Sequence, residues 1–321
     1  MVGLIADIGG TNARFALVST DGQTIYGERV LACAQYDGLV SAARTYLADI
    51  GPDQAPSQAA IALACPILGD QVCLTNLPSW NFSVRAVVES LGLDRLQVVN
   101  DFEAVALAVP HLRPQDHFIL NTGTPDPTAP IAVLGPGTGL GVAALLPGGA
   151  GGRPVALATE GGHATLAADT DTEAEILARI RRRHGHVSAE RLLSGSGLVL
   201  IYDILAEMSG VQSDIVTPAL IGLRLVQKDP LAEATFEVFT GLLGGHAGNV
   251  ALTFGARGGV VLAGGLLPRW LERLAASPLL QRFCDKGRFT NYLEAIPLSV
   301  ATHPYPAFLG LAGLLREDTG G

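Results

Sequence analysis

The chain alternates short apolar runs with amphipathic stretches from end to end. Val2–Ile5 and Phe15–Val18 are apolar runs of strand length, joined through Asp7 and the turn residues Gly9-Gly10-Thr11. Two such runs across a Gly-rich turn predict a β-hairpin rather than a strand entering a helix. Thr24–Val30 reads as a third strand. Over Tyr36–Ile50 the apolar positions Leu39, Val40, Ala43 and Leu47 fall at helical spacing, and Gly51-Pro52 ends the segment. Ala59–Ala64 is a continuous apolar run, and Val72–Leu74 follows it as a shorter strand after the turn residues Pro66 and Gly69-Asp70. Thr75–Ser83 is polar and aromatic, a predicted loop, with Ser83 placed to cap a helix over Val84–Leu91. Gln97–Val99 is a strand ending at Asn100-Asp101, and a helix over Phe102–Val109 stops at Pro110. Strands alternating with helices predict an α/β protein.

Arg113–Asp116 reads as a crossover between two domains, 1–110 and 111–302. Beyond it, Ile131–Leu146 echoes the opening hairpin. With Gly137-Thr138 laid over Gly10-Thr11, apolar run falls on apolar run, which predicts an internal duplication. Leu134 then falls where Asp7 stands, so the carboxylate is not duplicated. Asp169–Arg183 is a helix with acids first and bases last, a polarity that suits the helix dipole and marks the basic run as a solvated helix end. Val187–Leu193 and Leu198–Met208 are helical around a Gly195-Ser196-Gly197 turn. Leu231–Phe254 is a long helix with Gly241, Gly244, Gly245 and Gly248 near one face. Gly258–Gly265 is a buried strand leaving into a Gly turn, followed by helices over Pro268–Ala276 and Pro304–Arg316.

Composition narrows the function classes. With 48% hydrophobic and 16% charged residues, the 321-residue chain has material for a large core. A net charge of −9 argues against nucleic acid as a partner. Cys33, Cys65, Cys73 and Cys284 form no metal-spaced cluster and read as free thiols of a reducing cytoplasm. No signal peptide is evident. The longest uncharged stretch, Pro127–Gly152, is too rich in Gly and Pro to cross a membrane as a helix.

Gly-rich turns after apolar strands point to a nucleotide. A Walker A loop requires a lysine inside the turn, and the only lysines, Lys228 and Lys286, lie in no such turn. The G-x-G-x-G-x-G of Gly135–Gly141 misses the dinucleotide spacing and leads to strand and turn chemistry instead of a helix. Hairpin phosphate loops in two α/β domains are what remains.

The motifs D-I-G-G-T-N-A-R (Asp7–Arg14), L-P-S-W-N-F-S (Leu77–Ser83), N-D-F-E-A-V-A (Asn100–Ala106), G-P-G-T-G-L-G (Gly135–Gly141), E-G-G-H (Glu160–His163), H-V-S-A-E-R-L-L-S-G (His186–Gly195) and L-A-G-G (Leu262–Gly265) occur in that order. As an ordered set they resemble the bacterial glucokinases of the hexokinase–actin–Hsp70 superfamily over essentially the whole chain. The repressor/ORF/kinase sugar kinases share some of these motifs but add a Cys-rich zinc motif, and this chain has no Cys between Cys73 and Cys284.

The resemblance implies a two-lobed actin/hexokinase-like α/β fold (a duplicated ribonuclease-H-like architecture) with the active site in the interlobe cleft. It also implies that the C-terminal helix, 303–321, returns to the small lobe. The activity implied is ATP-dependent phosphorylation of the glucose 6-hydroxyl. Rival readings are a fructose or mannose kinase and a non-catalytic sugar sensor. By resemblance Asp101 is the catalytic base. Asn100, Glu160, His163 and Glu190, with Thr138 and Gly139 of the second hairpin, bind the sugar. A hexose offers adjacent hydroxyls that donate and accept, which suits paired carboxylates and amides. Ala6, Asp7, Ile8, Gly9, Gly10, Thr11 and Asn12 would form the first nucleotide loop, with Asp7 holding Mg²⁺ through water. Gly137 and Thr138 would belong to the second, and Gly264-Gly265 would meet the adenosine. Thr75–Ser83 would be a mobile lip of the sugar pocket. The family suggests a cytoplasmic homodimer.

Overall fold

The computed structural model describes residues 2–19, 21–51, 55–74, 76–149 and 152–317. Pro52, Thr75 at the start of the predicted lip, and the last four residues of the predicted C-terminal segment lie outside them. Packing divides the chain into one unit of Met1–Arg113 with His303–Gly321 and a second of Pro114–Thr302.

The first unit is built on a five-stranded sheet. Its strands are β1 (Gly3–Ile8), β2 (Asn12–Val18), β3 (Ile25–Ala32), β4 (Gln58–Leu63) and, after a small ribbon of β5 (Gln71–Val72) with β6 (Phe82–Ser83), β7 (Arg95–Asn100). The order is β3-β2-β1-β4-β7, with an antiparallel meander continued by parallel strands. Alternation along β1 sends Leu4, Ala6 and Ile8 to one face and Ile5 to the other. Leu39, Ala42, Ala43 and Tyr46 of α1 (Leu39–Ile50) pack on the first face, where Tyr46 stacks on Phe15 and donates its hydroxyl to the Gly27 carbonyl. Helix α2 (Val84–Leu91) starts under the Ser83 cap and stops at Gly92, a left-handed position. The Ile5 face is covered by α3 (Asp101–Ala108) and the terminal α12 (Pro306–Glu317). These two helices meet closely at Gly310, where a Cβ would lie 2.0 Å from the Ala104 carbonyl oxygen.

The second unit repeats the plan. Strands β8 (His117–Asn121), β9 (Ile131–Pro136), β10 (Leu140–Leu146), β11 (Val155–Thr159), β12 (Gly259–Leu262) and β13 (Leu298–Ala301) form a sheet ordered β11-β10-β9-β12-β13-β8. Its first five positions match the first unit strand for strand, including the antiparallel β9–β10 hairpin and the parallel β9–β12–β13 run. The predicted duplication is therefore present in topology as well as in sequence pattern.

Between β11 and β12 run α4 (Asp171–His184), α5 (Ala189–Leu192), α6 (Gly195–Met208), α7 (Pro218–Val226) and α8 (Pro230–Phe254). Gly195–Gly197, predicted as a turn, are the first turn of α6 instead, because the Ser194 hydroxyl caps them and Gly197 packs where a Cβ would sit 2.3 Å from the Leu192 carbonyl oxygen. After β12 come α9 (Leu271–Ala275), α10 (Leu279–Cys284) and α11 (Thr290–Glu294). The glycine face of α8 takes α10 at close range: a Cβ on Gly244 or Gly248 would stand 2.1 Å from the Leu279 or 2.5 Å from the Phe283 carbonyl oxygen. Those glycines serve helix packing, and no helix among the described residues is long and apolar enough to cross a membrane.

The basic end of α4 behaves as predicted, with Arg179 and Arg183 paired to Glu207.

Candidate active site

In the first unit the β1–β2 turn is Gly9-Gly10-Thr11, and the register sets Asp7 directly opposite Arg14. The Arg14 guanidinium donates to Asp7 Oδ2 at 3.1 Å. Although a quarter of the Asp7 side chain is exposed, the surrounding protein strips enough water from the carboxyl to raise its pKa, with Arg14 opposing that rise. The turn is held from below by the residue after β3: the Cys33 N–H donates to the Thr11 carbonyl at 2.9 Å, and its thiol to the Gly9 carbonyl at 3.6 Å. The Gly9 N–H is spent on the Asn12 carbonyl. Gly10 lies against Asn76, whose Cβ would be 3.1 Å from a Cβ added there.

The motif Asp7–Arg14 contains Arg14 without giving it a part, and Cys33 is read from the sequence only as a free thiol. Arg14 is legible in retrospect, because a hairpin with this turn pairs positions 7 and 14. Cys33 is not, because its place under the turn depends on where β3 ends.

Asn100 and Asp101 stand where β7 gives way to α3. Asn100 is the N-cap of α3. Its Oδ1 accepts from the Phe102 and Glu103 amides, and Glu103 returns the bond to the Asn100 N–H in a capping box. Asp101 is the first helical residue, its Oδ1 accepting from the Phe102 N–H at 2.9 Å. With the Asn100 oxygen committed to the cap, its amide nitrogen is the group that offers hydrogens. One of these goes to the Cys65 carbonyl at 3.4 Å. The predicted lip is anchored through Trp80, which is buried in the core and donates its indole N–H to the Tyr36 carbonyl. That side chain serves packing.

In the second unit the β9–β10 turn is Gly137-Thr138-Gly139. Sequence alignment placed Leu134 at the Asp7 position, and the structure corrects this by one residue. Leu134 points into the core beneath α8, on the face that corresponds to Leu4, Ala6 and Ile8, whereas Asp7 lies on the opposite face. A one-residue slip along a strand exchanges its faces. The residue equivalent to Asp7 is Gly135, where a Cβ would fall 1.9 Å from the Ala263 carbonyl oxygen. No side chain fits there. The close approach brings Gly264, at φ +94°, beside the end of β9: a Cβ on it would stand 2.5 Å from the Pro136 carbonyl oxygen.

The three remaining sugar candidates converge beside this turn. Gly161 and Gly162 let the 3-10 turn after β11 pack on β10, since a Cβ on Gly162 would lie 2.1 Å from the Leu140 carbonyl oxygen. The segment after it is stitched to the segment before α5 by backbone bonds from Leu166 to Val187 and from Ala189 to Ala164. Those bonds carry Glu190 to His163. The nearest approaches are 3.8 Å from His163 Nε2 to Glu160 Oε2 and 3.9 Å from His163 Nδ1 to Glu190 Oε1, too long for hydrogen bonds. Glu190 is the least exposed, at 34% against 57% and 60% for Glu160 and His163, because its Oε2 accepts the Leu140 N–H at 2.9 Å.

No group of three or more His, Cys, Asp or Glu side chains arranged to hold a metal occurs among the described residues. The lone carboxylate Asp7 suits a cation that keeps most of its water, as Mg²⁺ does, and not one stripped by protein ligands.

A duplicated sheet with a Gly-rich hairpin in each copy, and carboxylates and an imidazole beside one of them, is the equipment of a phosphotransferase acting on a hydroxylated substrate. A solved glucokinase structure from an Antarctic psychrotroph matches with a TM-score of 0.86 at 36% identity, covering 98% of this chain and 99% of that one. The fold class is accordingly that of the two-lobed, actin- and hexokinase-like sugar kinases. A glucokinase from Paramagnetospirillum magneticum is 51% identical over 315 residues, 98% of this chain and 97% of its own length. The family model described as Glucokinase matches residues 4–318. The chain belongs to the glucokinase family. A more distant fold neighbour is a ROK family glucokinase from Streptomyces griseus in complex with glucose and AMPPNP, at 19% identity, a TM-score of 0.66, and 99% and 100% coverage.

Proposed function

We propose that this protein transfers the γ-phosphoryl group of ATP to the 6-hydroxyl of glucose, releasing glucose 6-phosphate and ADP. Glucokinase activity goes with its family, and the glucose and AMPPNP bound by the fold neighbour support both substrates. The observation that carries the reading at residue level is the convergence of Glu160, His163 and Glu190 beside the β9–β10 turn.

Glu160, His163 and Glu190, with the Asn100 amide nitrogen, bind the sugar hydroxyls, assisted by Thr138 and Gly139. Asp101 accepts the proton of the 6-hydroxyl as its oxygen bonds to the γ-phosphorus and the bond to the β-phosphate bridging oxygen breaks. Such a transfer passes through a loose transition state, in which orientation and charge neutralisation matter more than base strength. Residues 6–12 and the Gly137-Thr138 turn meet the phosphates, and Gly264-Gly265 the adenosine. Asp7 would hold Mg²⁺ through water, and the ion would supply charge neutralisation on the nucleotide. The family also supports a cytoplasmic homodimer, which light scattering on the purified protein and cell fractionation would check.

A coupled assay of sugar 6-phosphate formation across glucose, mannose and fructose tests the reading, with Asp101→Ala beside the unaltered protein. Glucose is expected to be the preferred substrate, with Asp101→Ala slowed about a thousandfold in kcat. Unchanged turnover in the variant, or none on any hexose in the parent, overturns it.

A further inference from the structure

We propose that Glu190 couples sugar binding to nucleotide binding by holding the second phosphate turn in place, a role that rests on the function proposed above. Its two carboxylate oxygens face different ligands. Oε1 is turned toward His163, 3.9 Å from Nδ1, among the sugar-binding side chains. Oε2 accepts the N–H of Leu140, the residue that closes the β9–β10 turn opposite Pro136.

The turn is held at its other end as well, where the Gly195 N–H donates to the Gly137 carbonyl at 2.9 Å. Gly195 begins α6 and Glu190 lies in α5, with only Leu193 and Ser194 between the two helices. Glu190, Leu140, Gly137 and Gly195 thus close a short loop of hydrogen bonds and chain. Within the turn the Gly137 N–H is already committed to the Gly139 carbonyl. The turn that would meet a phosphate is thus fixed at both ends, and its orientation depends on the Glu190 anchor. A hydroxyl bound at Oε1 immobilises the carboxylate, so the Leu140 end of the turn is ordered before the nucleotide arrives. By linkage the nucleotide must favour the sugar by the same factor.

Gly139 offers a way to cut this connection without removing the carboxylate. A Cβ there would stand 2.4 Å from Glu190 Oε2, the mobile end of a side chain, so Gly139→Ala displaces the carboxylate while the strands stay put. Glu190→Asp shortens the reach by one carbon with the same charge. Calorimetric titration of glucose with and without AMPPNP reads the coupling factor directly, on protein shown to be folded by circular dichroism. The expected result is a coupling of about fivefold or more in the parent protein, falling to within about twofold of unity in both variants. A parent that phosphorylates glucose yet shows no coupling overturns the proposal. So does a folded variant that keeps the parental factor. Failure of the parent to bind or phosphorylate glucose would instead strike the function it rests on.

Discussion

The two hairpins share a topology and a Gly-rich turn, yet they are held by opposite means. The first carries its charge on its own strands, with Asp7 facing Arg14, and it rests on the Cys33 backbone and thiol. The second has no charge of its own. Its Asp7 equivalent is Gly135, pressed against Ala263, and its carboxylate is borrowed from α5 through Glu190. Duplication supplied two copies of one backbone. Packing then decided which copy could keep a side chain at the strand end, and the other copy recruited its polar group from an inserted helix.

The difference can be broken most severely at Gly135. Gly135→Ala drives a Cβ into a backbone oxygen that cannot turn aside, and it is expected to cost about 3 kcal/mol of stability in urea unfolding. In the first hairpin the glycine that opens the turn is not enclosed in this way: a Cβ on Gly9 meets only the Asn12 carbonyl at 3.6 Å, an ordinary contact. A Gly135→Ala protein as stable as its parent would show that the second hairpin is not locked by Ala263.

Charge separates the hairpins next. Asp7→Ala is expected to lower kcat/KM for Mg-ATP about 10–100-fold, the usual cost of losing a carboxylate that acts on a metal through water. Glucose affinity should stay nearly unchanged. Loss of glucose affinity alone would assign the first hairpin to the sugar.

A third test addresses the second unit through a buried histidine of α8. His246, buried in α8 with no partner for Nε2 among the described residues, has its pKa lowered to about 4 by desolvation and then by Lys286. Its pKa is depressed in the fold, so between pH 6.5 and 4 the unfolded chain takes up a proton that the folded one refuses. Stability is lost as pH falls through that window, by about 2 kcal/mol between pH 7 and 5. Urea titrations of His246→Leu should show a flatter acid limb, and an unaltered slope would mean that other groups dominate it.

The smallest expected effect is that of Gly9→Ala on stability, within about 0.5 kcal/mol. A larger cost would mean that the first hairpin is as tightly enclosed as the second.

Much of this was legible in residues alone. Apolar periodicity located β1, β2, α1 and α8 to within a few residues, because each buries one face or all of itself in a core. Ser83 was readable as a cap because its role is local, and Glu160, His163 and Glu190 were named through motif resemblance. The sequence by itself could not determine what depends on facing partners. That Asn100 caps α3 depends on where β7 ends and the helix begins. Trp80 became core because Tyr36 and the sheet stand behind it. The duplicate of Asp7 was misread by one position because the two apolar patterns match equally well when slid by a residue, whereas the pleat allows only one face to meet α8. Local chemistry, in turns, caps and periodicity, was set by the chain itself. Distances across it, such as Gly135 to Ala263 and Glu190 to Leu140, were decided only when distant segments packed, because no short-range preference encodes them.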